Sequence, residues 1–455
     1  MKYKGWVLPP ALRDFHVGRI WMRNHTPFHE TDIQKAIKQN YFIMKEGIQT
    51  EPHLQCNRCH NVDVNQFTQF DCTKCQKVCV YCRHCLNMGR ISGCTKLLLW
   101  AGPKARKQKR HRFNWAGQFT PLQKLASDEM LESVKKQRDH LVHAVCGAGK
   151  TEILFQSVHF ELGKGNRVCI ATPRTDVVLE SFPRFQAVFP ETTIHALYGG
   201  APKQYGYAQL VMATTHQLYR FQHAFDLIIV DEADAFPYTF DQTLQMAVQK
   251  AKTPDAPIIF VTATPSQKLV QQHQKSGYSF IPKRYHNHPL PVPRYSSLWR
   301  YENTFNKGKI PAKLQRWTEE RLTKQEPFLI FLPKLALMEL VTPLFQTIHP
   351  DILAVHAEDP DRKDTVLKLR NEEIPGLLTT TILERGITIK NVQVAVVGAE
   401  SVIFTASALI QIAGRVGRNQ AFADGDVVFF HHGITAEMDE ARATIIRSNK
   451  EGFPT

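Results

Sequence analysis

Two sets of residues in this chain have the types and spacing to do chemistry. The first is AVCGAGKTE, 144–152. Gly147 and Gly149, with Ala148 between them, let the backbone turn tightly, so that successive N–H groups and a following helix N-terminus face a phosphate. Lys150 would place its ammonium between the β- and γ-phosphates of ATP, and the Thr151 hydroxyl would reach Mg²⁺. Its partner is FDLIIVDEADAF, 225–236, an apolar strand that ends in acids. Asp231 would hold Mg²⁺ through water, and Glu232 would orient or deprotonate the attacking water. Together they predict ATP hydrolysis but not its purpose.

The second set lies in CNRCHNVDVNQFTQFDCTKCQKVCVYCRHC, 56–85, which holds seven of the ten cysteines, with Cys94 behind. The chain is expected to be intracellular, where a dense disulfide framework is disfavoured and Cys-x-x-Cys pairs suit metal clamps. Zinc needs four convergent thiolates or imidazoles. One site would join Cys56 and Cys59 to Cys82 and Cys85. Joining Cys56 and Cys59 to Cys72 and Cys75 is equally sound, and with Cys79 and Cys94 eight cysteines would suffice for two ions. An iron–sulfur cluster and a redox sensor are the other uses of such a cluster. A four-thiolate zinc site carries a charge of about −2, which Arg58, Lys74, Lys77 and Arg83 would partly offset, and it has no open position for catalysis. Its role would be structural, with an exposed surface available to DNA or a partner.

The elements that must position these residues divide the chain. With 455 residues, about three domains are expected. Residues 1–50 carry a helix over TDIQKAIKQNYFIMKEG that Thr31 or Asp32 would cap, 51–95 the cysteine module, and 96–118 a basic linker. From 119 to 285, short β-rich runs alternate with helical stretches: HLVHAV, RVCIAT, QLVMAT, FDLIIV and PIIFVTA. After a Pro-rich passage, HNHPLPVPRY, within a connecting segment at 286–320, the alternation resumes to the end with PFLIFLP, ILAVHA, GLLTTT, VQVAVVG and GDVVFFH. The fold class is therefore α/β: two tandem parallel-sheet domains preceded by a small zinc-binding module.

The net charge of +15 points to a polyanionic partner, nucleic acid before membrane, and KARKQKRHR (104–112) gathers six Lys or Arg in nine residues. MKYKGWVLPPALRDF has no apolar signal-peptide core, and the longest apolar stretch, 392–412, is broken by Gly398, Glu400, Ser401 and Gln411. A cytoplasmic chain without direct membrane insertion is expected.

DEAD (231–234), TATP (262–265) and QIAGRVGR (411–418) resemble, in order and spacing, the motifs of superfamily 2 helicases. That resemblance implies two RecA-like domains with ATP between them. Gln411 would belong to the ATP site, and Arg415 and Arg418, read as lying in a glycine-interrupted helix start, would supply charge to the γ-phosphoryl. It implies that Gln123 reads the adenine edge and that Thr262, Ala263 and Thr264 couple the ATP site to nucleic acid. Arg174, Thr214, Thr380 and Arg385 match its strand-contacting positions, where hydroxyls and backbone amides suit phosphates.

A cysteine module and basic linker ahead of such a motor, with CNRC (56–59) and VYCRHCLNMGR (80–90), is similar to the ComFA family of DNA-uptake ATPases. The family implies an ATPase stimulated by single-stranded DNA that draws DNA through a membrane channel during natural transformation. Its implied partners are that channel protein and a phosphoribosyltransferase-like competence protein, reached at the inner face of the membrane. The alternatives are a primosomal-type replication-restart helicase, whose cysteines lie within the second half of its motor, and an ATP-switched nucleic-acid-binding scaffold. TATP in place of a Ser-Ala-Thr signature argues against an RNA helicase.

Overall fold

The computed structural model describes residues 6–108, 110–356, 358–381 and 389–454. The chain divides into two compact units. The first holds everything up to Gln118, then Leu125–Val142 and Thr151–Ser279; the second holds Phe119–Lys124, His143–Lys150 and the chain from Phe280 onward.

A seven-stranded sheet organises the first α/β region. Its spatial order is Ile194–Leu197, Leu210–Thr214, Val168–Thr172, Leu227–Asp231, Ile258–Thr262, His140–Ala144 and Tyr278–Ile281. Val168–Thr172 and Leu210–Thr214 are buried at every position, as expected of central parallel strands covered on both faces. The parallel register runs from Val168↔Leu210 to Thr172↔Thr214, and Asp231 stands beside Val261. Thr172, Thr214, Asp231 and Thr262 therefore finish along one edge, where open α/β sheets bind ligands.

In the N-terminal region, Lys96–Trp100 lies between Ile20–Met22 and Phe42–Glu46 in an antiparallel sheet. The helix expected here is shorter than its sequence suggested. It runs Glu30–Lys38, and His29 rather than Thr31 or Asp32 caps it, accepting from the Thr31 N–H. Asn40, at φ 60°, breaks it, and the aromatic and β-branched residues that follow pair with Lys96–Trp100 instead. Further on, Phe67–Cys72 and Lys77–Cys82 form a hairpin that Ile91–Ser92 extends.

This region has one small core of its own: Leu12, Ile33, Ala36, Phe42 and Leu98. Others of its buried residues, among them Ile20, Ile48, Ile91 and Leu99, belong to the same cluster as Val211, Phe221, Phe225 and Ala251 of the seven-stranded sheet and its flanking elements. The basic stretch expected as a linker is a strap on that sheet. The Gln108 N–H donates to Gln209 Oε1 at 2.6 Å, His111 Nδ1 meets Thr192 Oγ1 at 2.7 Å, and the Asn114 N–H donates to the Val188 carbonyl at 2.8 Å.

The second unit is built on a six-stranded parallel sheet in the order Arg294–Ser297, Val427–His431, Gln393–Val397, Phe328–Phe331, Gly376–Thr379 and Ile352–Val355. Phe328, Ile330, Phe345, Trp317 and Phe430 fill its core. The connecting segment contributes its edge strand. Pro291 and Pro293 end just before Arg294, and an edge position tolerates a neighbour without an N–H.

Candidate ATP site and cysteine clusters

The phosphate loop leaves the strand His140–Ala144 and enters a helix at Lys150. Gly147 and Gly149 have φ of 81° and 76°, conformations that exclude most other residues here. Gln123 is buried against this loop. Its Nε2 donates to the Ala148 carbonyl at 2.8 Å and its Oε1 accepts from the Thr120 N–H at 2.9 Å. The Tyr285 N–H donates to the Gly147 carbonyl at 3.0 Å.

Within the second unit this loop meets the QIAGRVGR segment. The Cys146 thiol donates to Gln411 Oε1 at 3.1 Å, and a Cβ on Gly414 would stand 2.4 Å from that of Cys146. Among the described residues, Gln411 Nε2 is buried without a hydrogen-bond partner. Arg415 and Arg418 do not lie at a helix start. The helix is Ala406–Ala413, Gly414 is its C-cap, and both arginines occupy the turn beyond. Arg415 is buried, and Arg418 Nε donates to the Gly414 carbonyl at 2.9 Å.

Arg284, which sequence reasoning missed, holds this turn. It donates to the carbonyls of Gly417 at 2.5 Å, Val416 at 2.9 Å and Ala423 at 3.2 Å, while its stem packs beside Gly147. Burial lowers its pKa to about 10. A single arginine in an irregular stretch has no periodicity or motif to reveal it.

In the first unit, Asp231 ends its strand and its Oδ1 accepts the Glu232 N–H at 2.9 Å. Glu232 has φ 55°, a strained conformation for a residue with a side chain, of the kind found at functional sites. The next acid in DEAD, Asp234, receives two hydroxyls: Thr262 Oγ1 on one carboxylate oxygen and Thr264 Oγ1 on the other, each at 2.6 Å. The Thr264 N–H closes back on Thr262 Oγ1 at 3.0 Å, and buried Ala263 lies between. The sequence singled out these threonines but not the carboxylate they share. Just beyond, Phe236 and Phe240 are 74% and 79% exposed with ring centroids 6.3 Å apart, an apolar display that periodicity does not flag.

Thr214 and Arg174 come to the same strand-end edge of the first sheet. Thr214 pairs with Thr172, and Arg174 caps the helix Thr175–Val188, its guanidinium 3.8 Å from Asp176. Thr380 follows the strand Gly376–Thr379 in the second unit. Arg385 lies outside the described residues.

The eight clustered cysteines form two sets of four. Cys56, Cys59, Cys82 and Cys85 converge, and so do Cys72, Cys75, Cys79 and Cys94; within each set all sulfurs lie within 4.8 Å of one another. All are thiols, not disulfides. The consecutive arrangement of Cys56 and Cys59 with Cys72 and Cys75 is not the one adopted. Cys56–Cys85 and Cys59–Cys82 separations are 3.7 and 3.6 Å, and Cys72–Cys94 is 3.7 Å. Four sulfurs at about 2.3 Å from a tetrahedral zinc stand roughly 3.8 Å apart, so both sets fit that ion.

Their surroundings differ. The first set is sealed, with every cysteine at 0–1% exposure. Buried Arg58 donates from Nε to Cys85 Sγ at 3.4 Å and spreads its other donors over the carbonyls of Cys85, Met88 and Gly89. Hydrogen bonds from Cys56, Cys59 and Cys82, and then Arg58, lower the Cys85 pKa. Lys250, from the helix Gln242–Ala251, reaches in to the Arg58 and Tyr219 carbonyls, and its burial lowers its pKa to about 8. The second set lies at the hairpin end, with Cys75 and Cys94 partly exposed and Val78 beside them 66% exposed.

Residues 8–99 match the family model of the competence protein ComFA N-terminal domain, 120–272 that of the DEAD/DEAH box helicase, and 312–420 that of the helicase conserved C-terminal domain. The chain is 40% identical over 446 residues to competence protein ComFA of Bacillus subtilis, covering 97% of this chain and 95% of that one. With competence protein ComFA of Streptococcus pneumoniae it shares 39% over 440 residues, 96% and 98% of the two chains. Among solved structures, Saccharomyces cerevisiae Dbp5 bound to RNA and ADP BeF3 superposes with a TM-score of 0.54 at 15% identity, over 74% of this chain and 88% of that one, which shows a fold of two RecA-like domains. These domains are those of an ATP-dependent helicase-type enzyme, and no helix among the described residues is long and apolar enough to cross a membrane. The chain belongs to the ComFA family of competence proteins.

Proposed function

We propose that this chain is an ATP-dependent translocase that moves single-stranded DNA during uptake in natural transformation. The observation that carries the reading is the pair of hydroxyls that Thr262 and Thr264 place on Asp234. It joins the acidic segment that would handle Mg²⁺ and water to the TATP segment leading to the strand-end edge, so a change at the phosphate has a short mechanical route to the DNA.

In this reading the N–H groups of Gly147, Ala148 and Gly149 and the Lys150 ammonium hold the phosphates of ATP. Thr151 and Asp231 bind Mg²⁺, Glu232 positions water, and Arg415 and Arg418 stabilise charge on the transferring group. Gln411 supplies a further donor. Gln123 senses adenine and passes its occupancy to the loop through the Ala148 carbonyl. Thr214, Arg174, Thr380 and Arg385 contact the phosphates of the strand, and the exposed Phe236 and Phe240 suit stacking on bases. Zinc held by each cysteine set would fix local structure. Single-stranded DNA, a membrane channel protein and a phosphoribosyltransferase-like companion are the partners, and association with the membrane would pass through the channel protein.

ATP turnover should rise with single-stranded DNA more than with duplex DNA or RNA, and Lys150→Ala should nearly abolish it. Turnover indifferent to DNA would sink the motor reading. Stimulation without movement of DNA in a tethered translocation assay would favour an ATP-switched scaffold instead. A replication-restart role is less favoured, because the family match includes the module ahead of the motor.

A further inference from the structure

A cavity of about 560 Å³ opens where the N-terminal region meets the strand-end edge of the first motor sheet. Both sides lie in the first unit. Its size is that of a small-ligand pocket. Phe15, Arg19 and Trp21 line it from one side, and Gly199, Tyr205 and Arg220 from the other. Lys203 joins the two arginines in the lining, and no carboxylate does.

Arg19 is the unusual member. It is only 5% exposed, and its guanidinium lies 4.4 Å from the Phe15 ring centroid, 5.7 Å from Phe221 and 5.9 Å from Trp21. Among the described residues it has no carboxylate partner and its side chain makes no hydrogen bond. Burial first, then Arg167 and Arg220 nearby, push its pKa down to about 9. Aromatic faces surround this cation with no carboxylate beside it, so an anion entering the cavity would gain a charge partner. Arg220 stands 5.2 Å from the Trp21 ring centroid and is held by Gln217 at 3.0 Å. Gln204 Oε1, also in the lining, is buried without a partner among the described residues.

The rest of the lining suits a base and its sugar-phosphate. Tyr205 is 56% exposed, with its ring 6.1 Å from that of Phe15. A Cβ on Gly199 or Gly200 would meet nothing within 4 Å, so the backbone there faces open space that a phosphate can approach. The cavity also adjoins the strand path proposed above. Gly199 follows Ile194–Leu197, whose Leu197 pairs with Ala213, and Gln217 and Arg220 belong to the turn Thr215–Arg220 directly after Thr214.

We propose that this cavity is a subsite for one nucleotide of single-stranded DNA, with the phosphate on Arg19 and Arg220 and the base on Tyr205 and Trp21. It rests on the reading that the motor binds single-stranded DNA, and it extends the bound strand from the motor edge onto the N-terminal region.

The test is binding of fluorescent oligothymidylate to the full chain by anisotropy, at several salt concentrations. For an oligonucleotide of about 20 residues, Tyr205→Ala should weaken binding roughly tenfold, and Arg220→Gln should also flatten the salt dependence by about one unit of slope. A strand of about six residues, held by the motor edge alone, should bind the variants and the unaltered chain alike. Arg19→Met should behave as Arg220→Gln does; if burial makes it unstable, exposed Tyr205 carries the test. Unaltered binding of the long strand by Tyr205→Ala and Arg220→Gln overturns the subsite while leaving DNA binding by the motor intact. Equal losses for short and long strands overturn it too, since the effect would then lie at the motor edge. Thymidine monophosphate binding as tightly as the long strand would mark a mononucleotide site and overturn the strand assignment. An unaltered chain that binds no DNA overturns the motor reading, and the subsite with it.

Discussion

Cys56, Cys59, Cys82 and Cys85 are closed in by the motor domain, whereas Cys72, Cys75, Cys79 and Cys94 stand at the end of a hairpin with solvent beside them. Each set gathers four sulfurs within 4.8 Å of one another, close enough to share one zinc. The difference lies in what surrounds the sulfurs. The first set has a buried guanidinium and a motor-helix lysine beside it, and its cysteines are part of the apolar cluster that also contains Val230 and Phe225. The second has local turn contacts, such as Ser92 Oγ at 3.4 Å from Cys94 Sγ. The same ligand chemistry can therefore support a whole domain or only a hairpin, depending on how much core is continuous with it.

Four measurements would break or sharpen this contrast. The largest effect is expected for Cys82→Ser. Zinc by elemental analysis should fall from two ions to one, and because metal binding at a buried site is folding free energy, stability should drop by at least about 3 kcal/mol. By calorimetry that is a fall of roughly 10 °C in the Tm of the first unit; an unchanged Tm would show that the set does not brace the motor. Lys250→Met comes next. It strands the Arg58 and Tyr219 carbonyls, at a cost of about 1–3 kcal/mol, while both ions should stay bound. If it released zinc, the lysine would be part of the metal site and not of the seam. Cys75→Ser should remove one ion and shift the motor Tm by less than about 2 °C, a limit set by the local character of the hairpin. A larger shift would erase the distinction. The smallest perturbation is a chelator at ambient temperature. One ion should leave quickly and the other only as the domain opens, and in Cys75→Ser the fast phase should be missing. A single release phase in the unaltered chain would count against two unequal sites.

What was legible in the sequence was whatever local pattern encodes. Val168–Thr172 and Leu227–Asp231 announce themselves as buried parallel strands because their residues are apolar on both faces. GAGKTE and DEAD are visible because phosphate and Mg²⁺ chemistry demands particular residues at fixed offsets. Contacts made across long separations leave no such trace. Arg284 reaches Gly417 over 133 positions, and Lys250 reaches Arg58 over 192. The strand Arg294–Ser297 was hidden by the prolines before it, which signal an interruption whether or not an edge strand follows. The grouping of the cysteines was open for the same reason: Cys-x-x-Cys spacing reports pairs, while the hairpin register Phe67↔Cys82 to Cys72↔Lys77 decides which pairs meet. The arginines of QIAGRVGR were placed at a helix start because two glycines suggested an opening turn, but Gly414 closes a helix instead.

The continuous core also sets a timetable. The first cysteine set leaves the ribosome before the motor residues that will cover it, and Lys250 comes 192 positions after Arg58. At elongation rates of about 5–20 residues per second, that interval is roughly 10–40 s. For that time the four thiols belong to a nascent segment whose apolar side has no covering. Zinc captured early would hold the segment in shape and shield the sulfurs from oxidation until residues 210–258 arrive. Cells short of zinc should thus lose this protein during its synthesis, before any finished motor is made.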